Sequence, residues 1–574
     1  MNETLPPVEA LPATQHAIQI VGPGQLLHNR AKSVPVPGPT QLVVKVEAVG
    51  ICFSDTKLLH AFTAHPRKSE VLAGLDLAAL AENPSYVPGD RPTVPGHECA
   101  GRIVAVGGDV RRHRAGERVL VQTDYRHLPT ASSNAAFGYN FEGGLQEYVL
   151  LDERMIIQPG TGERFLIPVD EQPAGSAVAL LEPWACVEAS YASRERATLA
   201  PGGRLLVVAD TGHAIEGLAP LLAAAPPATI LAVVDDEAQR LVLGAIADPA
   251  GPGIELKDGL DGLPVESVDD VIYFGANAQV IERLQAHLAP RGVIDVVLGG
   301  MAIGRPVAVD VGRVHYDLTR WVGTPGRSAA DGYAIAPADG ELRDGDRVAV
   351  IGAAGPMGFM HVIRAVTCGR SGIALVAIDI DDERLAHLAG IAAPLAAEHG
   401  VRVEFVNGRT THVEPGFSYV AVMVPAPAMV AQAIELAGEG CRLNLFAGFS
   451  VGTRAPLDLD ALIAKRGYLL GTSGSEIPDM KTVIGKLERG ELDTNISVDA
   501  ITGMEGVTEA LAAVEARTSG GKIVVYPALH ELGMIRLSEL AARFPTVAAG
   551  LRDGRWTRAA EEALLAAAAD DGAG

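Results

Sequence analysis

The stretch GDRVAVIGAAGPMG, residues 345–358, decides the fold. An apolar, β-branched run ends at Ile351, glycines follow at 352, 355 and 358, and the helical run FMHVIRAV begins at once. A strand, a glycine turn and a helix in that order open a βαβ unit. In such a turn glycine lets the backbone approach a pyrophosphate, and the helix N-terminus offers N–H donors. The spacing G-x-x-G-x-x-G is one residue longer at the front than the common dinucleotide fingerprint. Asp379 supports the reading: it ends the next apolar run, 21 residues after Gly358. A carboxylate there accepts from ribose hydroxyls and repels a 2′-phosphate. Gly352, Gly355, Pro356, Met357, Gly358 and Asp379 are therefore the expected cofactor-binding residues, for NAD rather than NADP.

The same unit occurs twice. GGRLLVVADTG (202–212) matches GDRVAVIGAAG (345–355), and ILAVVDDEAQR ending at Arg240 matches LVAIDIDDER ending at Arg384, at displacements of 143 to 144 residues. GGMAIG ending at Gly304 matches AGFSVG ending at Gly452, and WVGTPGRSAAD ending at Asp331 matches LLGTSGSEIPD ending at Asp479, both displaced by 148. Four ordered matches at a nearly constant offset predict two tandem Rossmann-type, doubly wound parallel sheets. The first copy keeps Gly212 and Asp235, but Ala209 and Ile215 stand where the second has Gly352 and Gly358. It is expected to have lost dinucleotide binding and to serve structure. Pairing edge to edge would shield the exposed strand of each copy and make an internal pseudo-dimer; a homodimer is the alternative.

Working outward, residues 15–50 alternate apolar and polar positions between Gly/Pro punctuation, which predicts an irregular β domain. The expected organisation is an N-terminal β domain over 1–195, the degenerate copy over 196–338, the nucleotide-binding copy over 339–492, and a return segment with a helical packing tail over 493–574. The 574 residues are 48% hydrophobic and 20% charged, ordinary globular usage that excludes extensive disorder. A net charge of −23 repels polyphosphate, so no nucleic-acid partner is expected. Five thinly spread cysteines do not form a secreted disulfide framework. The first twenty residues, with Glu3, Glu9 and three prolines, do not read as a signal peptide, and no apolar run is long enough for a membrane span, so a cytoplasmic location is expected.

Three segments of the β domain and its boundary carry the chemistry: GICFSD around Cys52, VPGHECAG around His97 and LLEPWACVEAS around Glu182. A thiolate, an imidazole and a carboxylate suit a catalytic zinc, which takes three protein ligands and keeps one open position. Together with the G-x-V-x-x-VG run behind PGHE and the closing GKIVVYP strand, these motifs resemble the zinc-dependent medium-chain alcohol and polyol dehydrogenases. Within them the chain is most similar to the sorbitol dehydrogenase and L-sorbose-1-phosphate reductase branch. The resemblance covers most of the chain and implies a GroES-like catalytic domain, with Cys52, His97 and Glu182 as zinc ligands. It further implies that Ser54 passes the substrate hydroxyl proton outward, that Asp55 holds His97 in its ligating tautomer, and that Glu98 is an alternate ligand or a supporting base.

Two departures stand out. Residues 110–145 contain no cysteine, so the four-cysteine lobe and its structural zinc are not expected. His97 follows Cys52 by 45 residues, a longer spacing than is common in that family. The extra segment brings His65, Arg67, Lys68 and Arg91, which could meet a phosphorylated or acidic substrate. The implied function is oxidation of a secondary alcohol of a polyol, sugar or sugar phosphate by NAD. The alternatives are an NAD-retaining lyase or epimerase, and a non-catalytic binding protein of dehydrogenase descent.

Overall fold

The computed structural model describes residues 11–246, 253–450 and 452–571; Glu3 and Glu9 lie outside them. The chain divides into two compact units, one of residues 189–473 and one of residues 1–188 with 474–574.

The 189–473 unit is built on a single 12-stranded sheet. Its strands are β1 (Arg204–Ala209), β2 (Thr229–Val234), β3 (Ile254–Leu256), β4 (Val268–Phe274), β5 (Leu288–Val297) and β6 (Arg320–Thr324). They continue with β7 (Arg347–Ile351), β8 (Ala374–Asp379), β9 (Arg402–Asn407), β10 (Phe417–Val422), β11 (Ala437–Leu445) and β12 (Tyr468–Gly471). The spatial order is β3-β2-β1-β4-β5-β6-β12-β11-β10-β7-β8-β9. Each half is parallel and follows the doubly wound order 3-2-1-4-5-6. Helices cover both faces of such a sheet, which is why Leu205 to Val208 and Val348 to Ile351 are continuous apolar runs, all buried.

The halves meet at β6 and β12, whose one antiparallel partnership sets Trp321 opposite Leu469. These residues are 148 positions apart, the displacement of the repeat in this region, so each faces its own counterpart. A second antiparallel ladder obeys the same symmetry: Val307 pairs with Leu457 and Val309 with Ala455. This is the self-complementary geometry of a two-fold interface, realised between two copies in one chain. Trp321, Leu443 and Leu469 belong to one buried apolar cluster that spans both halves. At the seam, buried Arg320 makes a two-pronged pair with Glu195 (2.5 and 3.0 Å) and donates to the Gly471 carbonyl (2.9 Å). The Tyr468 hydroxyl also donates to Glu195, so the buried carboxylate is compensated from both copies.

In the other unit the central strand is Gln41–Gly50, flanked by Glu98–Val106, Tyr148–Asp152 and the late strand Lys522–Val525. The register places Gly50 opposite both Glu98 and Val524, which brings residues more than 400 positions apart to one end of the sheet. The tail packs here too. Glu561 of the last helix accepts from the Gly175 and Ser176 amides, and the Trp556 indole donates to the Tyr526 hydroxyl. All five cysteines are free thiols.

Candidate metal centre and nucleotide loop

Cys52 is the last residue before the helix Phe53–Ala61 and adopts extended backbone angles. Asp55, one turn in, turns back to accept from the Cys52 amide (2.9 Å) and fixes the entry into the helix. Its other oxygen accepts from the Gly96 amide (3.1 Å) and lies 3.2 Å from His97 Nδ1. One buried carboxylate thus ties the cysteine segment to the histidine segment. With Nδ1 protonated toward Asp55, the lone pair of His97 is on Nε2. Ser54 Oγ is 3.2 Å from that nitrogen and donates to Cys52 Sγ at 3.1 Å.

Ligand atoms of Cys52, His97 and Glu98 all lie within 4.8 Å of one another, the sole such group of His, Cys, Asp and Glu among the described residues. Glu98 is fully buried, and its carboxylate occupies the space that a side chain at position 50 would fill. One of its oxygens pairs with the Lys522 ammonium, itself buried, which also donates to the Ile51 carbonyl (2.8 Å). The other oxygen, Oε2, is buried with no protein partner. Glu182 comes from the helix Leu181–Ala192, is buried, and receives the Cys186 thiol at 3.7 Å. It stands outside the three-residue group but shares its field. Burial pushes the Glu182 carboxyl up to about 7, with Glu98 and Asp124 adding to the rise and His97 and Lys522 opposing it. Burial likewise opposes ionisation of Asp55, yet His97 and the two amides hold it below the usual range. Desolvation also works against charging His97, and Tyr139 and Asp55 outweigh it, raising the ring's pKa.

The buried carboxylates of Glu98 and Glu182, the Cys52 thiol and the His97 ring share one neighbourhood with Asp124, and one buried carboxylate oxygen is left without a donor. A divalent cation fits that donor set, because thiolate, imidazole and carboxylate are its usual ligands and a buried carboxylate oxygen left without a partner is costly. Of the residues named from sequence, Cys52, Ser54, Asp55, His97 and Glu98 meet directly; Glu182 borders them. Sequence reading missed Lys522 and Tyr139. A lysine opening the apolar strand KIVV was a usable signal, since a charge in a buried strand needs a partner. Tyr139, whose ring centroid is 5.6 Å from that of His97, carried none.

In the other unit, β7 runs into the second copy's glycine turn. The Gly352 and Ala353 amides donate to the Ile378 carbonyl (2.8 and 3.0 Å), Gly355 caps the helix Pro356–Val366, and Pro356 takes its first position. Gly358 lets that helix touch the turn: a Cβ there would sit 2.0 Å from the Gly352 oxygen. Asp379 accepts from the Ala354 and Ile380 amides (2.9 and 2.8 Å) and pairs with Arg384 (3.1 Å), so the carboxylate braces the turn at the end of β8. The first copy differs at each point. After Ala209 the chain enters Asp210, whose carboxylate accepts from the Tyr273 hydroxyl (2.7 Å), and Gln239 closes the loop onto the Asp210 and His213 carbonyls. Ile215 is buried in the core, and the following helix, Leu218–Ala224, has only 7 residues. No long helix N-terminus opens on this loop.

Residues 38–160 match the alcohol dehydrogenase GroES-like domain family. Among curated proteins, the chain is 31% identical over 22% of its length, and 35% of the relative's, to a zinc-type alcohol dehydrogenase-like protein, YphC, of Escherichia coli K12. It is 27% identical to L-sorbose 1-phosphate reductase of Klebsiella pneumoniae over 40% of this chain and 57% of that one. The corresponding figures for mannitol-1-phosphate 5-dehydrogenase of Aliivibrio fischeri are 26%, 53% and 72%. The chain spans 57% and 35% of the length of the first two curated relatives it matches. A solved structure of an alcohol dehydrogenase candidate from Sinorhizobium meliloti 1021 shares the fold, with a TM-score of 0.50 at 14% identity over 90% of this chain and 100% of that one. Residues 38–160 thus carry the alcohol dehydrogenase GroES-like domain, the chain is similar over part of its length to a zinc-type alcohol dehydrogenase-like protein, and its 189–473 unit is a doubly wound sheet.

Proposed function

We propose that this protein is a zinc- and NAD-dependent oxidoreductase that interconverts a secondary alcohol of a polyol, sugar or sugar phosphate with its ketone. The convergence of Cys52, His97 and Glu98 around an unpaired buried oxygen carries the reading. Cys52, His97 and a carboxylate, from Glu98 in the tight group or Glu182 at its border, would hold the metal. Zinc held there would supply Lewis acidity toward an alcohol oxygen, and NAD held at the glycine turn would supply the hydride acceptor.

The chain's own residues do the rest. Asp55 holds the His97 ring through Nδ1 and leaves Nε2 facing Ser54 Oγ. Ser54, between that nitrogen and Sγ, both donates and accepts, and is placed to hand the substrate's hydroxyl proton outward. Lys522 offsets the negative charge of Glu98 when the pocket holds no cation. Gly352, Gly355 and Gly358, with the helix that Pro356 and Met357 begin, would cradle the pyrophosphate, and Asp379 would favour NAD over its 2′-phosphate. The first copy would serve as the internal partner of the second.

The test is NADH formation across polyols, sugar alcohols and their phosphates, with NADP in parallel and zinc measured on the same sample. Activity with NAD, one catalytic zinc per chain, and loss of both in Cys52→Ser are expected. Bound zinc retained in Cys52→Ser, or turnover without net NADH, overturns the reading. Comparing zinc content in Glu98→Gln and Glu182→Gln identifies the third ligand. Replacing Asp379 and Asp235 separately locates the nucleotide: loss with Asp235 alone reverses the assignment of the copies.

A further inference from the structure

In the long segment between Cys52 and His97 the fold gives His65, Arg67, Lys68 and Arg91 different roles. Lys68 is fully buried and donates to the Val87 and Arg91 carbonyls; burial pushes its pKa down to about 7. Arg91 donates to the Tyr86 carbonyl (3.2 Å). These two hold the segment to itself. His65 accepts from the Arg67 amide (3.2 Å), and burial, helped by Arg67, lowers it to about 4, so its ring is neutral.

Arg67 turns toward the metal centre. Its guanidinium lies 2.6 Å from Asp124 Oδ1 and 5.4 Å from the centroid of Tyr139, the ring that neighbours His97. From the other side Arg126 approaches Asp124 Oδ2 at 3.9 Å and pairs with Glu476 at 2.8 Å. Two guanidiniums from separate segments therefore flank one carboxylate beside the centre. The side chains of Arg67 and Arg126 are 25% and 37% exposed while that of Asp124 is 9% exposed, so the cations form the outer layer. Arg67 meets Asp124 through one close ion pair, and a guanidinium carries five N–H donors, more than one carboxylate oxygen takes up. The centre itself is rich in carboxylates, which repel an anionic ligand. The two cations, balanced by Asp124 and Glu476, keep the edge from adding to that repulsion, and a guanidinium fork matches the paired oxygens of a phosphate or carboxylate.

We propose that Arg67 and Arg126 receive an anionic end group, a phosphate monoester or a carboxylate, and so set the substrate class as anionic polyols or sugars over neutral ones. This rests on the dehydrogenase reading for the reacting end of the molecule, whereas anion binding is measurable without turnover.

The experiment is calorimetric titration of the zinc-loaded protein with a hexitol, the same hexitol phosphate, and the corresponding aldonate. The wild type is expected to bind at least one anionic ligand tenfold or more tighter than the hexitol, and which of the two does so identifies the group. In Arg67→Gln and in Arg126→Gln that preference falls toward unity, and Arg67→Lys, which keeps the charge but not the fork, restores part of it. Equal wild-type affinity for all three ligands, no binding of any, or a preference that survives both glutamine variants overturns the proposal. Should Arg67→Gln fail to fold, Arg126→Gln and Arg67→Lys still decide it. NADH formation is followed separately: an anion preference without NADH formation from any ligand sinks the dehydrogenase reading and leaves the anion site standing.

Discussion

The carboxylate of Glu98 sits where a side chain at Gly50 would be: a Cβ built on Gly50 lies 2.0 Å from Glu98 Oε2. The two are partners in the antiparallel register, so the glycine makes room for the acid that completes the Cys52 and His97 group. Gly50→Ala is expected to displace Glu98 and destabilise the protein by about 1–3 kcal/mol, the usual cost of overpacking. Zinc content per chain should fall with it. Full zinc content and an unchanged melting temperature would show that Glu98 relaxes freely and is not needed for the metal.

Lys522 and Glu98 are a buried ion pair, at 3% and 0% side-chain exposure. Removing one member leaves the other charge uncompensated. Lys522→Met should cost the metal-free protein about 3–5 kcal/mol in urea unfolding. The loss should be smaller with zinc bound, because the divalent charge then faces the same carboxylate. An identical loss with and without zinc would mean that the metal does not reach Glu98.

The glycine turn separates packing from binding. Gly358→Ala puts a methyl group 2.0 Å from the Gly352 oxygen, whereas at Gly355 the nearest atom is 3.8 Å away. Gly358→Ala should therefore destabilise the fold by about 1–3 kcal/mol or more. Gly355→Ala should leave the melting temperature nearly unchanged and weaken NADH binding, read by fluorescence titration, because its methyl enters the space assigned to the pyrophosphate. Unaltered NADH affinity in Gly355→Ala would exclude this turn as the site.

His361, on the helix after that turn, is fully buried and shares a hydrogen bond with the Tyr191 hydroxyl (2.9 Å). Burial, then nearby Arg364, lowers its pKa to about 3. The folded ring stays neutral while the unfolded one takes up a proton below about pH 6.5, so its contribution to stability is full above that pH and declines as pH falls toward 3. Between pH 6.5 and 5.0 the group should cost about 2 kcal/mol of stability. His361→Gln should lack that component when unfolding free energies at pH 7.5 and 5.0 are compared. Equal acid sensitivity in both proteins would show that the ring ionises in the folded state.

Much of the architecture was written in local pattern. Alternating apolar strands and helical runs, repeated at a fixed displacement, predict two parallel doubly wound copies, because period and punctuation are properties of a few consecutive residues; that the copies join into one 12-stranded sheet is decided by edge pairing. The motifs around Cys52 and His97 were legible for the same reason. Glu98, adjacent to His97, was named as an alternate ligand or a supporting base and Glu182 as the ligand, whereas the tight group holds Glu98, with Glu182 at its border. Neighbours in sequence on a strand point to opposite faces unless the backbone turns, so sequence adjacency did not settle which carboxylate faces the sulfur.

The sequence by itself determined which segments become strands, where the chain turns on glycine, which copy kept an open turn, and which residue types are available to hold a cation. Only the tertiary structure decided that Lys522 neutralises Glu98, that Arg67 rather than Lys68 faces the centre, and that Trp321 meets its own counterpart Leu469. The physical reason is range. Propensity and periodicity act over a turn or two of chain. Charge compensation and edge pairing depend on distances between atoms whose separation along the sequence carries no information until the sheets close.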